Sequence, residues 1–388
     1  MDIYRPPVLQ NADLAVLERI DEQRRKLRFF LAEPRRWTGT LRRATFARAV
    51  QGSNSIEGYH ASVEDVAAVI EGEEPLDADA ETTAAIAGYR DAMTYVLQLA
   101  GNPPAVDASL LRGLHFMLLK YDLAKHPGQW RPGAIWVENQ DGNVVYQAPD
   151  REVVERLIEE LVASINDDTG DVLVRAAMAH LNLTLIHPFS DGNGRMARCL
   201  QSYVLASAGV LSPVFSSVEE YLGRNTDRYD AVLSEVAQGS WSPGRDTRPW
   251  IQFILTAHFR QARTLERRIH ETDALWDRCE QLAKERGVPD RSVAALCDAA
   301  RGWRLQRSLY KKLVLDGAGE DISDDSATRD LKTLVDAGLL APKGEKRGRT
   351  YLPTDDLRAA WNSIREQRPP RPEEDPYEGA GQTRLPGF

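Results

Sequence analysis

Apolar residues recur at helical spacing along most of the chain, and this period predicts a mainly α-helical protein. Residues 171–186 are apolar almost all round, which predicts a buried central helix rather than a surface one. The same pattern predicts two helices between 62 and 100, one from Met196 onward, and others over 12–31, 41–57, 107–119, 256–285, 291–300, 306–315 and 326–335. The length of 388 residues allows two or three domains.

One region has the composition of β-strands instead. Residues 134–137 and 144–146 flank an Asp-Gly-Asn turn sequence at 141–143, which suits a hairpin. A lone hairpin on a helical body leaves a strand edge unpaired, and an extended segment of another protein can pair with such an edge. The alternative is a hairpin that only packs on the helices. The residues expected to dock a target segment are Ile135, Trp136 and Val137.

The central helix leads into a loop that suits a bound anion. Pro188 cannot continue the helix, so the chain must leave it just after His187. Gly192 and Gly194 permit a tight loop whose backbone N–H groups can point at a ligand. A second helical pattern then begins, so the loop opens onto a helix N-terminus, and this arrangement binds anions.

Two arginines make the anion more specific. Arg195 and Arg198 share a face of the second helix, where they repel each other and oppose the helix dipole by about 0.3–1 kcal/mol each. A di- or triphosphate would account for both. Asp191 is a candidate ligand for Mg²⁺, which binds carboxylates together with phosphate oxygens, and His187 is a candidate general base. The alternative is a capped helix pair with a solvated arginine face and a core histidine.

The stretch HPFSDGNGRMAR, residues 187–198, resembles the HPFx(D/E)GNGRxxR motif of Fic-domain proteins, which transfer AMP from ATP onto protein hydroxyls. The resemblance implies a Fic-type helical core with a β-hairpin flap, ATP as substrate and Mg²⁺ as cofactor. It implies that His187 deprotonates the target hydroxyl and that Asp191 binds the metal. In the family, an aromatic residue beyond the motif encloses the adenosine. The nucleotide-binding residues implied here are Ser190, Gly192, Asn193, Gly194, Arg195, Arg198 and Tyr229.

A carboxylate near the N-terminus lies at the wrong end of its helix. Glu57 precedes Gly58, a natural residue for a helix end, so its charge opposes the helix dipole there. Ser53, Glu57 and Gly58 resemble the (S/T)xxxE(G/N) inhibitory motif of Fic proteins. The resemblance implies that Glu57 pairs with Arg198 and blocks the γ-phosphate. The alternative is an exposed glutamate at a frayed helix end.

Charge and cysteine content restrict the setting of the protein. A net charge of −9 argues against a chain that coats nucleic acid or membranes as a whole. The three cysteines lie in helical contexts without paired spacing, which favours buried thiols in a reducing compartment over disulfides or a zinc site. No stretch approaches 18 apolar residues and the first ten residues lack an apolar run, so we expect a cytoplasmic protein without membrane segments.

Near the C-terminus, three helices and a basic segment over 291–356 resemble a winged helix–turn–helix. DNA binding would place one set of side chains in the major groove and a second set on phosphates. A protein-interaction or dimer module is the alternative, because function does not follow from fold. The expected groove contacts are Thr328, Arg329 and Lys332, and the expected phosphate contacts are Lys346, Arg347 and Arg349.

These patterns divide the chain into five regions. We expect an N-terminal helical region with an inhibitory helix at about 41–58, a catalytic core, a connector helix, a winged-helix-like domain and a disordered tail rich in proline, glycine and charge. The respective ranges are 1–105, 106–262, 263–290, 291–356 and 366–388.

Three functions follow as hypotheses. The first is AMP transfer to a Ser, Thr or Tyr of an unidentified protein, which includes the chain itself, held off by Glu57. The second is removal of AMP from a modified protein, with Glu57 orienting the water. The third is a DNA-binding regulator that uses the helical core as a ligand sensor. Another nucleotide donor and a homodimer also remain open.

Overall fold

A computed structural model describes residues 2–32, 35–138, 142–167, 169–209, 215, 217–344, 349–368 and 374–378. Its α-helices are α1 (Asn11–Ala32), α2 (Thr38–Ile56), α3 (Val63–Ile70), α4 (Ala80–Leu99), α5 (Ala108–Leu119), α6 (Val154–Asn166), α7 (Val172–Ile186), α8 (Asn193–Ser207), α9 (Glu219–Arg224), α10 (Thr226–Ala237), α11 (Arg248–Arg286), α12 (Val293–Ala300), α13 (Arg307–Ala318), α14 (Asp324–Asp336) and α15 (Asp355–Glu366). Its strands are β1 (Trp136–Glu138), β2 (Val144–Gln147), β3 (Leu340–Lys343) and β4 (Thr350–Pro353). Mainly helical structure is therefore confirmed.

Helix α7 is the centre of the first hydrophobic core, as the continuous apolar pattern predicts. Leu181 and Ile186 are fully buried, and even its polar His180 and Asn182 are enclosed. It packs closely against α8 and also contacts α6 and α11. Asp171 caps its first turn by accepting hydrogen bonds from two backbone N–H groups. This buried helix holds the start of the 187–198 motif in a fixed position.

A second core lies in the C-terminal part of the chain, around α12, α13 and α14. Helix α11 contributes to both cores, since Trp250 and Phe259 pack in the first and Leu265 and Trp276 in the second. The predicted helix over 256–285 is therefore part of one longer helix. Its 39 residues run from Arg248 to Arg286 without interruption.

Helix α2 also joins the two cores. Trp37 and Leu41, at its start, belong to the second core, while Val50 belongs to the first. Arg43 extends this anchorage because it donates hydrogen bonds to the buried carboxylate of Asp298. The helix therefore begins in one core and ends beside the motif of the other.

Two small antiparallel sheets accompany the described helices. The predicted hairpin is present as β1 and β2, with Val137 opposite Tyr146. Strands β3 and β4 pair in the C-terminal part, with Leu340 opposite Pro353. Lys346 and Arg347, two of the expected phosphate contacts, lie outside the described residues, as do Glu33 and Pro34.

Part of the segment predicted to be disordered makes defined contacts. Glu374 forms ion pairs with Arg19 of α1 and Arg263 of α11. The Tyr377 hydroxyl is 3.3 Å from an Asp13 carboxylate oxygen. Residues 374–378 thus lie against the first core, and the segments on either side are not described.

Among the helices that the structure describes, none combines the length and apolar character needed to span a bilayer. The three cysteines are buried and form no disulfide.

Candidate active site

His187 is held at the end of α7 with one ring nitrogen free to act as a base. Its backbone is left-handed, at φ 51°, which turns the chain out of the helix. Nδ1 lies 3.1 Å from the Thr184 carbonyl oxygen. A carbonyl can only accept, so Nδ1 carries the proton and Nε2 keeps a lone pair. The helix thus selects the tautomer that general base catalysis requires.

The environment of His187 favours the neutral imidazole. Burial lowers the pKa of His187 below its ordinary value, and the nearby charge of Arg131 acts in the same direction. The Thr184 carbonyl and the Glu57 carboxylate raise the pKa but do not reverse the shift. At neutral pH the side chain can therefore accept a proton from a hydroxyl.

The loop after His187 is fixed by buried polar contacts. The Asn193 side chain both accepts from the backbone N–H of Phe189 and donates to its carbonyl, each over 2.9 Å. The Phe189 ring stacks on His115 at 3.6 Å between ring centroids. His115 accepts from the Gly128 N–H and lies 2.9 Å from the Asp191 carbonyl. The Asn193 side chain therefore binds the backbone of its own loop, whereas the sequence predicts that it contacts a phosphate.

His115 packs on Phe189 and also shapes the loop through both of its ring nitrogens. Burial lowers its pKa to about 4, so the ring is neutral. Since Nδ1 accepts from Gly128, Nε2 carries the proton and donates to Asp191. Gly192 adopts φ 72° at the start of α8, where a side chain would be strained and would press on Leu119. Ser190 is half-buried in the same loop.

The two motif arginines are buried cations with donors to spare. Arg195 and Arg198 are each 1% exposed at the N-terminus of α8. Within the described part of the chain, Nε and Nη1 of Arg195 and Nη1 of Arg198 have no hydrogen-bond partner. The guanidinium of Arg195 lies over the ring of Tyr59, 5.0 Å from its centroid. Unsatisfied buried charged donors are costly, so their presence indicates a site for an anionic ligand.

The end of α2 covers Arg198. Glu57 Oε1 accepts from Arg198 Nη2 over 2.7 Å. Ser53 accepts two further hydrogen bonds, from Nε to its hydroxyl at 2.8 Å and from Nη2 to its carbonyl at 2.9 Å. Gly194 permits the close approach, because a Cβ there would overlap Glu57 Oε1. The resemblance to the inhibitory motif predicted the pairing of Glu57 with Arg198, and the structure contains that contact.

Asp191 is the candidate metal ligand, and its carboxylate is already paired. Oδ2 lies 3.0 Å from Lys125 Nζ, and Oδ1 accepts from the Gly192 N–H over 2.6 Å. No group of three His, Cys, Asp or Glu side chains that could hold a metal occurs among the described residues. A single carboxylate fits Mg²⁺ when nucleotide phosphates supply further oxygens. The residues therefore fit a metal that arrives with a nucleotide.

The hairpin is fixed to the loop by a buried arginine. Arg131 is 1% exposed, and its guanidinium donates to the backbone carbonyls of Gly133, Pro149 and His187. Its backbone N–H donates to the carbonyl of Pro188 over 2.9 Å. The hairpin base and the end of α7 are therefore one rigid unit.

The hairpin presents a side suited to docking. The outer edge of β2 is occupied, because the Gln147 N–H donates to the Gly239 carbonyl. Strand β1 pairs only with β2 among the described residues. Trp136 is 53% exposed, while Ile135 and Val137 are half-buried.

Tyr229 is placed deeper than the sequence suggested. Its ring lies among buried aromatic residues, close to Trp250 and Phe253. Its hydroxyl is 2.9 Å from His180 Nε2 and interacts with Arg198. Tyr229 thus approaches Arg198 from the side of the hydrophobic core, which encloses its ring.

The three residues expected to contact the DNA groove, Thr328, Arg329 and Lys332, lie on α14. Arg329 is exposed and lies 3.3 Å from the Ser326 hydroxyl, while the Thr328 hydroxyl donates to the Asp324 carbonyl. The first turn of α14 also carries the carboxylates of Asp324 and Asp325, and that of Asp324 pairs with Lys311. Carboxylates at this position oppose the approach of a phosphate backbone. Lys332 and Arg349 are likewise exposed.

Comparison with known proteins is consistent with this geometry. The model of the Fic/DOC family matches residues 105–205, which include the hairpin, α7 and the motif. The chain contains a Fic domain. The matched residues include both His115 and Arg131, so the Fic domain covers the loop contacts and the hairpin anchor described above.

Two relatives cover different parts of the chain. A protein adenylyltransferase Fic of Nematostella vectensis is 27% identical over 258 residues, which are 64% of this chain and 55% of that protein. Protein adenylyltransferase fic-1 of Caenorhabditis elegans is 41% identical over 76 residues, 18% of this chain and 15% of that one. The chain thus spans about half or less of the length of these relatives.

A solved structure is similar over most of the chain. The crystal structure of a Fic family protein from Desulfovibrio desulfuricans superposes with a TM-score of 0.58 at 22% identity. The match covers 91% of this chain and 99% of that one. At this identity the likeness establishes the fold, and it extends beyond the Fic domain itself.

Sequence reasoning missed two contacts at the site. Tyr59 lies against Arg195, and Lys125 pairs with Asp191. Each contact joins segments far apart in the chain, so no local spacing could reveal it. The only signal for Tyr59 was its position two residues after Glu57.

Proposed function

We propose that the protein transfers AMP from ATP to a hydroxyl side chain of a protein, Ser, Thr or Tyr, with release of pyrophosphate. The observation that carries the proposal is the pair of buried arginines with unpartnered donors beside the free Nε2 of His187. A triphosphate supplies the charge and acceptor atoms that these donors lack. Relatives named protein adenylyltransferase add support.

The chemistry follows from the position of these groups. His187 Nε2 takes the proton of the target hydroxyl as its oxygen attacks the α-phosphorus, and the bond from that phosphorus to the bridging oxygen breaks. Pyrophosphate leaves with the electron pair. The N–H groups at the start of α8, with Arg195 and Arg198, stabilise the negative charge. Mg²⁺ held by Asp191 would neutralise further phosphate charge.

Target recognition would use β1. An extended target segment can add to the free edge of the strand by backbone hydrogen bonds, with Trp136 as an exposed apolar contact. Arg131 ties the hairpin base to the His187 carbonyl, so a segment docked there is held in register with the base. This arrangement fits a protein substrate better than a free small molecule.

Glu57 would keep this activity low. Its carboxylate occupies the donor of Arg198 that a γ-phosphate needs, and it places a negative charge at the helix N-terminus. A phosphate bound to the same arginine would be repelled by the Glu57 carboxylate, because both groups are negatively charged. The glutamate side chain is 25% exposed and sits at the end of its helix, so it can turn away without unfolding the core.

Labelling of protein with α-³²P-ATP tests both the AMP transfer and its inhibition by Glu57. We expect weak labelling by the wild type and at least about tenfold more by Glu57→Gly, since a charge-assisted contact is removed. The double variant Glu57→Gly, His187→Ala should give no labelling. Lysate and the purified chain serve as targets, which separates self-modification. Glu57→Gln is the matched control for shape without charge. A Glu57→Gly variant that labels no more than the wild type contradicts the inhibition.

Removal of AMP is a second candidate, favoured by the position of Glu57. Its side chain is 25% exposed and its charge raises the pKa of His187, so it lies where it could orient a water molecule. With AMP-labelled target as substrate, this reaction predicts release by the wild type and loss in Glu57→Gly. Retained release in Glu57→Gly would exclude it.

A further inference from the structure

Lys125 is the third cation at the nucleotide site, and no role has been assigned to it. It ends a short 3-10 helix, Leu123–Lys125, that lies between α5 and the hairpin. Its ammonium is 3.0 Å from Asp191 Oδ2 and 3.4 Å from the Tyr59 hydroxyl. The side chain is largely covered, with 23% exposed.

Packing does not explain the position of Lys125. Leu123 of the same 3-10 helix is 71% exposed, so this turn contributes little to the core. The ammonium of a lysine carries a positive charge at neutral pH. Its main partner is the carboxylate that a metal would need.

Metal and lysine compete for one group. Asp191 Oδ2 pairs with the ammonium of Lys125, and Asp191 Oδ1 accepts a hydrogen bond from the Gly192 N–H. Mg²⁺ binds carboxylate oxygen directly and tolerates no ammonium in between. A metal on Oδ2 would free the ammonium of Lys125 from Asp191, and its other carboxylate contact is the longer one to Glu81, at 3.6 Å.

We propose that Lys125 is a phosphate-binding residue of the nucleotide site, and that its ammonium exchanges with Mg²⁺ on Asp191 and passes to the triphosphate. The inference rests on the proposed function. It is consistent with the charges present, because Arg195, Arg198 and Lys125 bring three cations together while the carboxylates paired with Lys125 are Asp191 at 3.0 Å and Glu81 at 3.6 Å. A triphosphate has the opposite charge to these cations.

The segment from Glu57 to Tyr59 also contacts Lys125. The Tyr59 ring covers Arg195, and its hydroxyl lies 3.4 Å from Lys125 Nζ and 3.5 Å from the Tyr121 hydroxyl. Glu57 of the same segment binds Arg198. One short segment therefore contacts all three cations of the site, which is expected if all three serve the same ligand.

The test measures ATP binding by calorimetry in the Glu57→Gly background, with EDTA and across a Mg²⁺ series. We expect Lys125→Met to weaken ATP binding at saturating Mg²⁺ about tenfold or more, since a charge-assisted contact is lost. We also expect a lower Mg²⁺ midpoint, because the ammonium no longer competes for Asp191. Lys125→Arg should keep most of the ATP affinity at saturating Mg²⁺.

Lys120→Met is the matched control, since Lys120 pairs with Asp91 outside the site. Lys120→Met should change neither the ATP affinity nor the Mg²⁺ midpoint. Unchanged ATP affinity of Lys125→Met at saturating Mg²⁺ overturns the proposal, and so does a raised Mg²⁺ midpoint. If Glu57→Gly itself binds no ATP under any condition, the proposed function fails instead. Thermal unfolding of each variant confirms that it is folded.

Discussion

Two buried arginines flank the loop of His187, and their partners differ in kind. Arg131, on the hairpin side, donates to three backbone carbonyls. Arg198, on the α2 side, donates to Ser53 and to the carboxylate of Glu57, and its Nη1 has no partner among the described residues. Both side chains are 1% exposed. Burial alone therefore does not distinguish a structural arginine from a functional one.

The difference lies in whether the partner can leave. A backbone carbonyl moves only with its chain, so Arg131 is a permanent link. The carboxylate of Glu57 can rotate away, and an anion can take its place. Burial lowers the pKa of Arg131; it also lowers that of Arg198, but the charge of Glu57 outweighs it and raises the pKa overall. Arg198 is thus adapted to an anionic partner.

The largest effect is expected from Arg131→Met. The substitution leaves three carbonyls without their donor, at about 1–3 kcal/mol for each that stays dry. We expect the free energy of unfolding in urea to fall by about 3 kcal/mol or more, together with loss of target labelling. Arg131→Lys, which lacks the planar fork, should recover only part. A loss below about 1 kcal/mol would show that water replaces these contacts.

Gly194→Ala should break the contact between Glu57 and Arg198 without affecting Arg131. The added methyl group overlaps Glu57 Oε1, so we expect the contact with Arg198 to be lost and stability to fall by about 1–3 kcal/mol. In the Glu57→Gly background the nearest atom left is Arg198 Nη1, at 3.2 Å, so the same substitution should cost less. A double-mutant cycle in urea measures this coupling. Equal costs in both backgrounds would mean that the methyl group clashes elsewhere.

Ser53→Ala sharpens the comparison with a smaller change. Arg198 loses the hydroxyl at 2.8 Å but keeps the Ser53 carbonyl and Glu57. We expect a stability loss of about 1–2 kcal/mol and labelling between those of the wild type and Glu57→Gly. Ser55→Ala is the control, because its hydroxyl bonds only the Gly52 carbonyl of its own helix. Similar effects of both substitutions would point to helix stability instead.

The smallest effect concerns pH. In the proposed reaction neutral His187 is the base, and its pKa is lowered by burial, so acid should inactivate it only below its ordinary value of about 6.5. The kcat/KM of Glu57→Gly should therefore be constant from pH 8 to about 6.5 and fall at lower pH. Glu57 raises this pKa, so its removal moves the midpoint further down. A midpoint above 6.5, with ATP affinity unchanged, would contradict the assignment.

Helices and the motif were predictable because their signals are local. The apolar run before His187 predicts a buried helix, and α7 starts and ends within one residue of that prediction. The glycines at 192 and 194 predict a tight loop at a helix N-terminus, which is where α8 begins. In each case the cause and its effect lie within a few residues of each other.

The supporting contacts were not predictable, since they join distant segments. Lys125 and Asp191 are 66 residues apart, a separation that no periodicity records. Tyr229 was chosen for its aromatic ring, yet its hydroxyl reaches His180 and Arg198 from within the core. The phosphate contact of Asn193 stays a prediction, and the sequence did not reveal that its side chain bonds both the N–H and the carbonyl of Phe189.

Helix α2 has a mechanical consequence. From Trp37 in the second core to Glu57 at the nucleotide site, it spans about 30 Å, since a helix rises about 1.5 Å per residue. Over that length a tilt of about three degrees at the Trp37 end displaces the carboxylate by about 1.5 Å, half a hydrogen-bond length. Such a tilt would have to carry the buried middle of the helix with it, where Gly52 packs against the backbone of Glu219. One continuous helix therefore joins the second core to the contact between Glu57 and Arg198.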